Sequence, residues 1–144
     1  MKKLLLMVVC FFSFSTMAMA DDDKPIHFNQ LPVKAQTFIR NHFNRVDIKE
    51  ISSEDNGKHY EVEFKRGIQI EFDRNGRWKE IETDKAGIPD RVVPVRVLRQ
   101  IKKRFGNQIR VTEMSREEGE LKVKLSNGKE LEFDRDRKRG EIDD

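Results

Sequence analysis

An internal repeat constrains this chain more than any other feature of its sequence. When the sequence is shifted by 61 to 62 residues, the run Glu-Phe-Asp-Arg at 71–74 meets an identical run at 132–135. The pair Pro-Val at 32–33 meets Pro-Val at 94–95 in the same way. Matching segments in the same order predict two copies of one structural unit. The predicted organisation is residues 31–83 for repeat 1, 84–92 for a linker rich in turn residues, and 93–144 for repeat 2.

Each repeat begins with a predicted helix. Ala35, Ile39 and Phe43 recur at every fourth residue, so they share one face of a helix that should lie against a core. The equivalent stripe of the second repeat consists of Val97, Ile101 and Phe105. Proline suits the first helical position, and glycine or asparagine suits the end. The predicted starts are Pro32 and Pro94, and the predicted ends are Asn44 and Gly106.

Alternating apolar and charged residues then predict a β-hairpin in each repeat. In repeat 1 a three-residue loop at 65–67, ending in Gly67, places Val62 opposite Ile70 with the apolar residues on one face. In repeat 2 the loop at 126–128 places Lys122 opposite Glu132 and Lys124 opposite Glu130. Flanking strands are predicted at 46–52 and 78–83, and again at 109–114 and 138–142.

The predicted fold class is therefore α+β, a tandem repeat of a helix followed by a three- to four-stranded antiparallel meander. Helices that carry one apolar stripe should cover one face of the sheet and leave the other face to water. The chain contains enough residues for one ordinary hydrophobic core.

The first twenty residues have the pattern of a signal peptide. Lys2 and Lys3 precede an apolar run, and Ala18 and Ala20 provide the small residues that signal peptidase requires. We expect cleavage after Ala20, a short lead-in at 21–30, and a periplasmic or secreted protein that has no membrane anchor after cleavage. The only cysteine, Cys10, lies in this segment, so no disulfide is expected.

Charge in the remaining chain is balanced and finely mixed. Two of the 29 Lys and Arg residues leave with the signal peptide, which leaves 27 against 26 Asp and Glu residues. Nucleic-acid binding requires clustered positive charge, and opposite signs alternate along this sequence. We therefore expect no nucleic-acid partner.

Three segments of repeat 1 resemble the PepSY-like family. They are Leu-Pro-x5-Phe-Ile at 31–39, Tyr-Glu-Val-Glu-Phe at 60–64, and Ile-Glu-Phe-Asp-x-x-Gly-x-Trp-Lys-Glu-Ile at 70–81. The resemblance is to the tandem, exported group of Bacteroides-type bacteria, whose fold is likened to beta-lactamase inhibitory protein. It is weaker in repeat 2, where Arg137 and Arg139 replace the Gly and the Trp. The resemblance implies an exported α+β protein without catalytic activity and with no assigned biochemical role.

Candidate sites for catalysis or metal binding have simpler structural explanations. His27, His42 and His59 lack zinc-motif spacing, and we interpret them as solvated or capping residues. The run Asp-Arg-Asn-Gly at 73–76 contains oxygen ligands but lacks the full spacing of a calcium loop, so we interpret it as a hairpin turn. No activated nucleophile is evident. We therefore expect neither enzymatic activity nor a cofactor or bound metal.

The open sheet face remains as the candidate functional surface. We expect a two-residue turn at Asn75-Gly76 to point Trp78 toward water, where an exposed tryptophan would anchor a contact. The predicted partner is an unknown protein or peptide of the cell envelope, bound by a monomer. The alternative is an envelope accessory or sensory protein that binds a small ligand or ion between the repeats. The predicted binding face comprises Trp78, Glu61, Glu63, Glu71, Lys122 and Lys124.

Overall fold

The computed structural model describes residues 23–134. Within this range the chain forms two α-helices, eight β-strands and four short 3-10 turns. The helices are α1 (Val33–His42) and α2 (Val95–Phe105). The strands are β1 (Lys24–Pro25), β2 (Ile48–Glu54), β3 (His59–Phe64), β4 (Gln69–Asp73), β5 (Trp78–Glu82), β6 (Val111–Glu117), β7 (Glu120–Leu125) and β8 (Glu130–Asp134).

All eight strands belong to one antiparallel sheet, and their order in the sheet is their order in the chain. Strands β2–β5 come from repeat 1 and β6–β8 from repeat 2. Pairing of β5 with β6 therefore joins the two repeats edge to edge. The α+β class and the helix-plus-meander unit are confirmed, and the two meanders form a single continuous sheet.

Both helices cover the same face of this sheet and bury the predicted stripes. Ala35 and Ile39 of α1, and Val97 and Ile101 of α2, are almost completely buried. They belong to one hydrophobic cluster with apolar side chains from both repeats. Because one core spans both repeats, neither repeat has a separate interior. The sheet contributes Ile51, Val62, Phe64, Ile70, Phe72, Trp78, Ile81, Val111, Met114, Leu121, Val123, Leu125 and Phe133.

The ends of the helices differ by a residue or two from the sequence expectation. Pro32 and Pro94 are the N-cap residues, one position before the first helical residue. Gly106 closes α2 with a positive φ of 92°, as expected. Phe43 is the C-cap of α1 in an extended conformation, and Asn44 begins a 3-10 turn, so Asn44 does not end the helix. Because Phe43 lies outside the helix, its side chain is only half-buried. Its ring packs against that of Phe64, with 5.2 Å between the ring centroids.

Both hairpin registers predicted from loop length are confirmed. The Phe64 N–H donates to the Ile68 carbonyl at 2.8 Å, and Val62 lies opposite Ile70. In repeat 2 the Leu125 N–H donates to the Lys129 carbonyl at 2.8 Å. There the pairs are Leu121–Phe133, Lys122–Glu132, Val123–Leu131 and Lys124–Glu130.

The turn between β4 and β5 overturns the predicted orientation of Trp78. Asp73 N–H donates to the Arg77 carbonyl at 2.9 Å, so the loop has three residues rather than two. Trp78 therefore lies opposite Phe72 on the core face and is only 6% exposed. A β-bulge follows, because Glu80 pairs with Glu71 and leaves Lys79 as the extra residue. The bulge returns Ile81 to the core as well, so both apolar side chains are buried.

The segments outside the two repeat bodies also pack against the sheet. The lead-in contributes β1, which the sequence reading did not predict, and the buried Phe28. Between the repeats, Ile88 is buried and its N–H donates to the Val111 carbonyl at 2.7 Å. The signal peptide at 1–20 and the strand predicted at 138–142 lie outside the described residues.

Candidate functional site

The face of the sheet opposite the helices carries a concentration of carboxylates. Strand alternation places every second side chain of β2–β6 on this side, and most of these residues are glutamates. We call this surface the acidic face. It comprises Glu50, Glu54, Glu61, Glu63, Glu71, Glu80, Glu82 and Glu113.

Several of these glutamates lie directly opposite one another on adjacent strands. The paired positions on neighbouring strands are Glu50–Glu63, Glu61–Glu71, Glu71–Glu80 and Glu82–Glu113. Like charges on directly opposite residues destabilise a sheet. The acidic face therefore concentrates negative charge, whereas lysines placed opposite these glutamates would have balanced it.

Burial and mutual repulsion raise the pKa of several carboxyls on the acidic face. Burial, followed by the neighbouring Glu71, raises the pKa of Glu80 to about 7. Burial together with a hydrogen bond to Glu61 raises the pKa of Glu54 to about 8. The pKa values of Glu82 and Glu113 are also raised, chiefly by burial. At neutral pH this surface therefore holds protons that isolated carboxylates would have lost.

Lysine and histidine side chains lie next to some carboxylates of this face. Lys49 Nζ is 3.7 Å from Glu63 Oε2, and His59 Nδ1 is 3.7 Å from Glu71 Oε2. On the repeat 2 side, Lys124 Nζ is 4.0 Å from Glu113 Oε2. Such half-exposed ion pairs contribute little individually, because solvent screens them.

The structure places most of the predicted binding residues on one surface. Glu61, Glu63 and Glu71 are adjacent on β3 and β4, and Lys122 and Lys124 face the same side on β7. Lys122 lies opposite Glu132 as expected, and its ammonium also contacts Glu117 Oε1 on β6 at 3.2 Å. The hydrogen bond to Glu117 raises the pKa of Lys122.

Trp78 does not belong to this surface. Its ring lies on the helix face, with the Arg116 guanidinium carbon 3.9 Å from the ring centroid. Arg116 belongs to repeat 2. Part of the surface of Trp78 is therefore covered by the other repeat, which repeat 1 alone could not provide. The prediction that Trp78 is an exposed anchor on the open face is therefore wrong.

The binding face predicted from the sequence omitted five of the eight glutamates of the acidic face: Glu50, Glu54, Glu80, Glu82 and Glu113. Their alternation with apolar residues was a usable signal within each strand. Alternation within a strand does not determine the register between strands of different repeats. That register places Glu82 opposite Glu113.

The segment considered as a calcium loop forms a hairpin turn, as interpreted, but with three loop residues instead of the expected two. Asp73 Oδ1 accepts hydrogen bonds from the N–H groups of Asn75 and Arg77 at 2.8 and 3.0 Å. Gly76 has a φ of +92° at the end of this turn, and its Cα lies close to the start of α1. Among residues 23–134, no group of three or more His, Cys, Asp or Glu side chains is arranged to hold a metal ion.

The histidines lie apart from one another. His27 precedes a 3-10 turn and donates its backbone N–H to Gln30 Oε1 at 2.7 Å. His42 ends α1, where burial and the nearby Arg91 lower its pKa. His59 starts β3 beside Asp55 and Glu71.

Comparison with known proteins identifies the family. The family model described as beta-lactamase-inhibitor-like, PepSY-like matches residues 18–68 and 58–138. The chain belongs to this PepSY-like family. A search of curated proteins finds no match.

Solved structures of similar proteins come from Bacteroides. One, from Bacteroides vulgatus and described as a periplasmic protein of the DUF2874 family, shares 35% identity over 87% of this chain and 97% of its own, with a TM-score of 0.74. Another, from Bacteroides thetaiotaomicron and described as a calcium-regulated periplasmic protein, shares 32% identity over 86% and 96%, with a TM-score of 0.73. A third, a Bacteroides vulgatus protein described as periplasmic and of unknown function, shares 26% identity over 78% and 92%, with a TM-score of 0.70.

These relatives agree with the location expected from the sequence, which is periplasmic or secreted. Within residues 23–134, neither helix has the length and apolar character needed to cross a membrane. Neither the family nor these neighbours is described as an enzyme.

Proposed function

We propose that this protein is a non-enzymatic periplasmic binding module that docks a basic segment of another envelope protein on its acidic face. One observation carries the proposal: carboxylates lie directly opposite carboxylates on neighbouring strands across β2–β6. Lysine or arginine side chains of a partner would lie between these carboxylates and relieve their repulsion. The charge on the acidic face thus matches a cationic partner rather than an anionic one.

The shape of the surface supports docking rather than catalysis. General acid–base chemistry needs a carboxyl and a substrate enclosed together, whereas these carboxylates lie on an open sheet face. Ser52 and Ser115 share this face but stand opposite glutamates in the ladders, Glu61 and Glu80 respectively. Neither serine is paired across a ladder with a histidine that would activate it.

Charge reversal tests the proposal. The mature protein is immobilised and used to capture partners from periplasmic extract, and the captured protein is then titrated in purified form. The double variant Glu71→Lys, Glu80→Lys should weaken binding by at least tenfold, and increasing salt should weaken binding to the wild type. The double variant Glu130→Lys, Glu132→Lys is the matched control, because it makes the same change in net charge on β8, opposite Lys124 and Lys122. A partner that binds the double variant and the wild type equally would refute docking on the acidic face.

A second candidate function is a cation-responsive accessory protein, in which an ion acts between the repeats. Two observations favour it: the Bacteroides thetaiotaomicron relative is described as calcium-regulated, and Glu82 and Glu113 face each other where the repeats meet. Calorimetric titration with Ca²⁺, with Mg²⁺ as the comparison ion, distinguishes the two candidates. Saturable Ca²⁺ binding that Glu82→Gln abolishes would favour the ion. Absence of a binding heat together with capture of a basic partner would favour docking.

A further inference from the structure

The two repeats meet in the sheet along a short seam between β5 and β6. Only three residue pairs form this ladder, compared with six in the β2–β3 ladder and six in the β6–β7 ladder. One of the three pairs, Ile81 with Met114, lies in the core. The other two, Glu80 with Ser115 and Glu82 with Glu113, lie on the acidic face. The seam therefore combines few backbone pairs with two glutamates at directly opposite positions.

Backbone hydrogen bonds continue the seam beyond the ladder. The Thr83 N–H donates to the Thr112 carbonyl at 2.9 Å, and the Ile88 N–H donates to the Val111 carbonyl at 2.7 Å. The buried Thr83 hydroxyl also donates to the Thr112 carbonyl at 3.1 Å. These amides report on opening between the repeats, because their acceptors belong to repeat 2.

Acidic side chains on the strands of the seam and on nearby strands act on the carboxyls of the seam. Glu80 and Glu82 lie on β5, with Glu113 on the facing strand. Lys124 on β7 lies beside this group, with its Nζ 4.0 Å from Glu113 Oε2. The further acidic groups that act on Glu80, Glu82 or Glu113 are Glu61 on β3, Glu71 on β4, Asp84 after β5, Glu117 on β6 and Glu130 on β8.

We propose that the β5–β6 seam is a proton-sensitive junction, which holds the two repeats firmly at mildly acidic pH and loosens as the pH rises through neutrality. In the protonated form, the carboxyls of Glu80 and Glu82 bear no charge and repulsion across the seam disappears. In the ionised form, the Glu82 charge faces Glu113 across the seam, while the Glu80 charge lies at the seam opposite Ser115 and faces Glu71 on β4 of its own repeat. The junction needs no partner to respond, so its test does not depend on the proposed docking function.

The direction of the pH response follows from the pKa values. Burial, then the neighbouring carboxylates, raise the pKa of Glu80 from 4.5 to about 7, and burial and Glu113 raise that of Glu82. A group with a raised pKa binds more protons in the folded state than in the unfolded state. Its contribution to stability is complete below about pH 4.5 and is lost as the pH rises through about 7. The seam should therefore tighten progressively as the pH falls below 7 and be loosest above pH 8.

Amide hydrogen exchange locates the response. Protection factors are compared at pH 6 and pH 8, since these factors are corrected for the intrinsic pH dependence of exchange. One proton with a folded pKa near 7 predicts about a tenfold fall in the protection of the Thr83 and Ile88 amides. The Leu125 amide, inside the β7–β8 hairpin, should change far less. Equal falls at all three amides would refute a response located at the seam, and so would constant protection at Thr83.

Carboxamide variants test the groups responsible. Glu80→Gln combined with Glu82→Gln keeps the side-chain shape and removes both charges. Protection of the Thr83 amide at pH 8 should then rise about tenfold to the pH 6 value, and its pH dependence should disappear. Glu132→Gln, which removes a carboxylate opposite Lys122, should leave the wild-type response in place. A wild-type pH response in the double variant would overturn the proposal.

Discussion

A single truncation at Ile81 tests whether the two repeats share one core. Ile81 is fully buried on β5 and pairs with Met114, which is 1% exposed on β6 of the other repeat. Ile81→Ala removes three buried carbon groups, worth about 2.4 kcal/mol at about 0.8 kcal/mol each. A residual cavity of about 50 Å³ adds about 1.2 kcal/mol at about 24 cal/mol per Å³. The free energy of unfolding should fall by about 3.5 kcal/mol.

That loss should affect both repeats together, because the cavity opens in a cluster to which both contribute. Chemical denaturation is followed by Trp78 fluorescence, which reports on repeat 1, and by far-ultraviolet circular dichroism, which reports on all of the secondary structure. The two transitions should coincide in the wild type and in the variant. In a thermal melt, the midpoint temperature of the variant should be lower by roughly 10–15 °C. Val33→Ala is the control, because Val33 is 74% exposed and should change stability by less than about 0.5 kcal/mol. The shared core would be refuted if the dichroism curve had two phases and Ile81→Ala shifted only the phase that coincides with the Trp78 fluorescence transition.

Three further predictions concern the tryptophan, a turn and export. Trp78 is the only tryptophan in the chain, and its emission should be blue-shifted and resistant to iodide; emission near that of free tryptophan would place the ring in water. Gly76→Ala should destabilise by about 2 kcal/mol more than Gly128→Ala, as measured by urea denaturation. Both glycines have a φ near +90°, but a Cβ at Gly76 would lie 2.9 Å from the Ala35 nitrogen while one at Gly128 has open space, so equal losses would contradict the packing of this turn on α1. N-terminal sequencing of the protein from its native host should begin at Asp21, and recovery of intact Met1 would disprove export by signal cleavage.

Much of the fold was predictable because its determinants lie close together in the chain. The register of the β3–β4 hairpin followed from loop length and apolar alternation, and Val62 opposite Ile70 confirms it. Helix stripes were equally accessible, since Ala35 and Ile39 depend only on a local period. The turn at 73–76 shows the limit of this reasoning. One additional loop residue buried Trp78 and one bulge returned Ile81 to the core, and neither is determined by alternation alone.

The candidate site was only partly predictable for the same reason. Glu61 and Glu71 belong to one hairpin, so their proximity could be inferred from a local turn. Glu82 and Glu113 come from different repeats, and their contact exists only because β5 pairs with β6. The charge pattern of each strand was visible in the sequence, whereas the accumulation of charge on one face was not.

The sequence by itself determined the helix-plus-meander unit, the β3–β4 and β7–β8 registers and most of the apolar positions that are buried, because periodicity and turn chemistry act over a few residues. Only the tertiary structure decided that the repeats share one sheet and one core. Strand pairing across the seam depends on contacts between residues about thirty positions apart, and no local preference encodes it. The same pairing decided which carboxylates face each other. It also contributes to their raised pKa values, because burial and like charges act between residues that are close in space rather than in sequence.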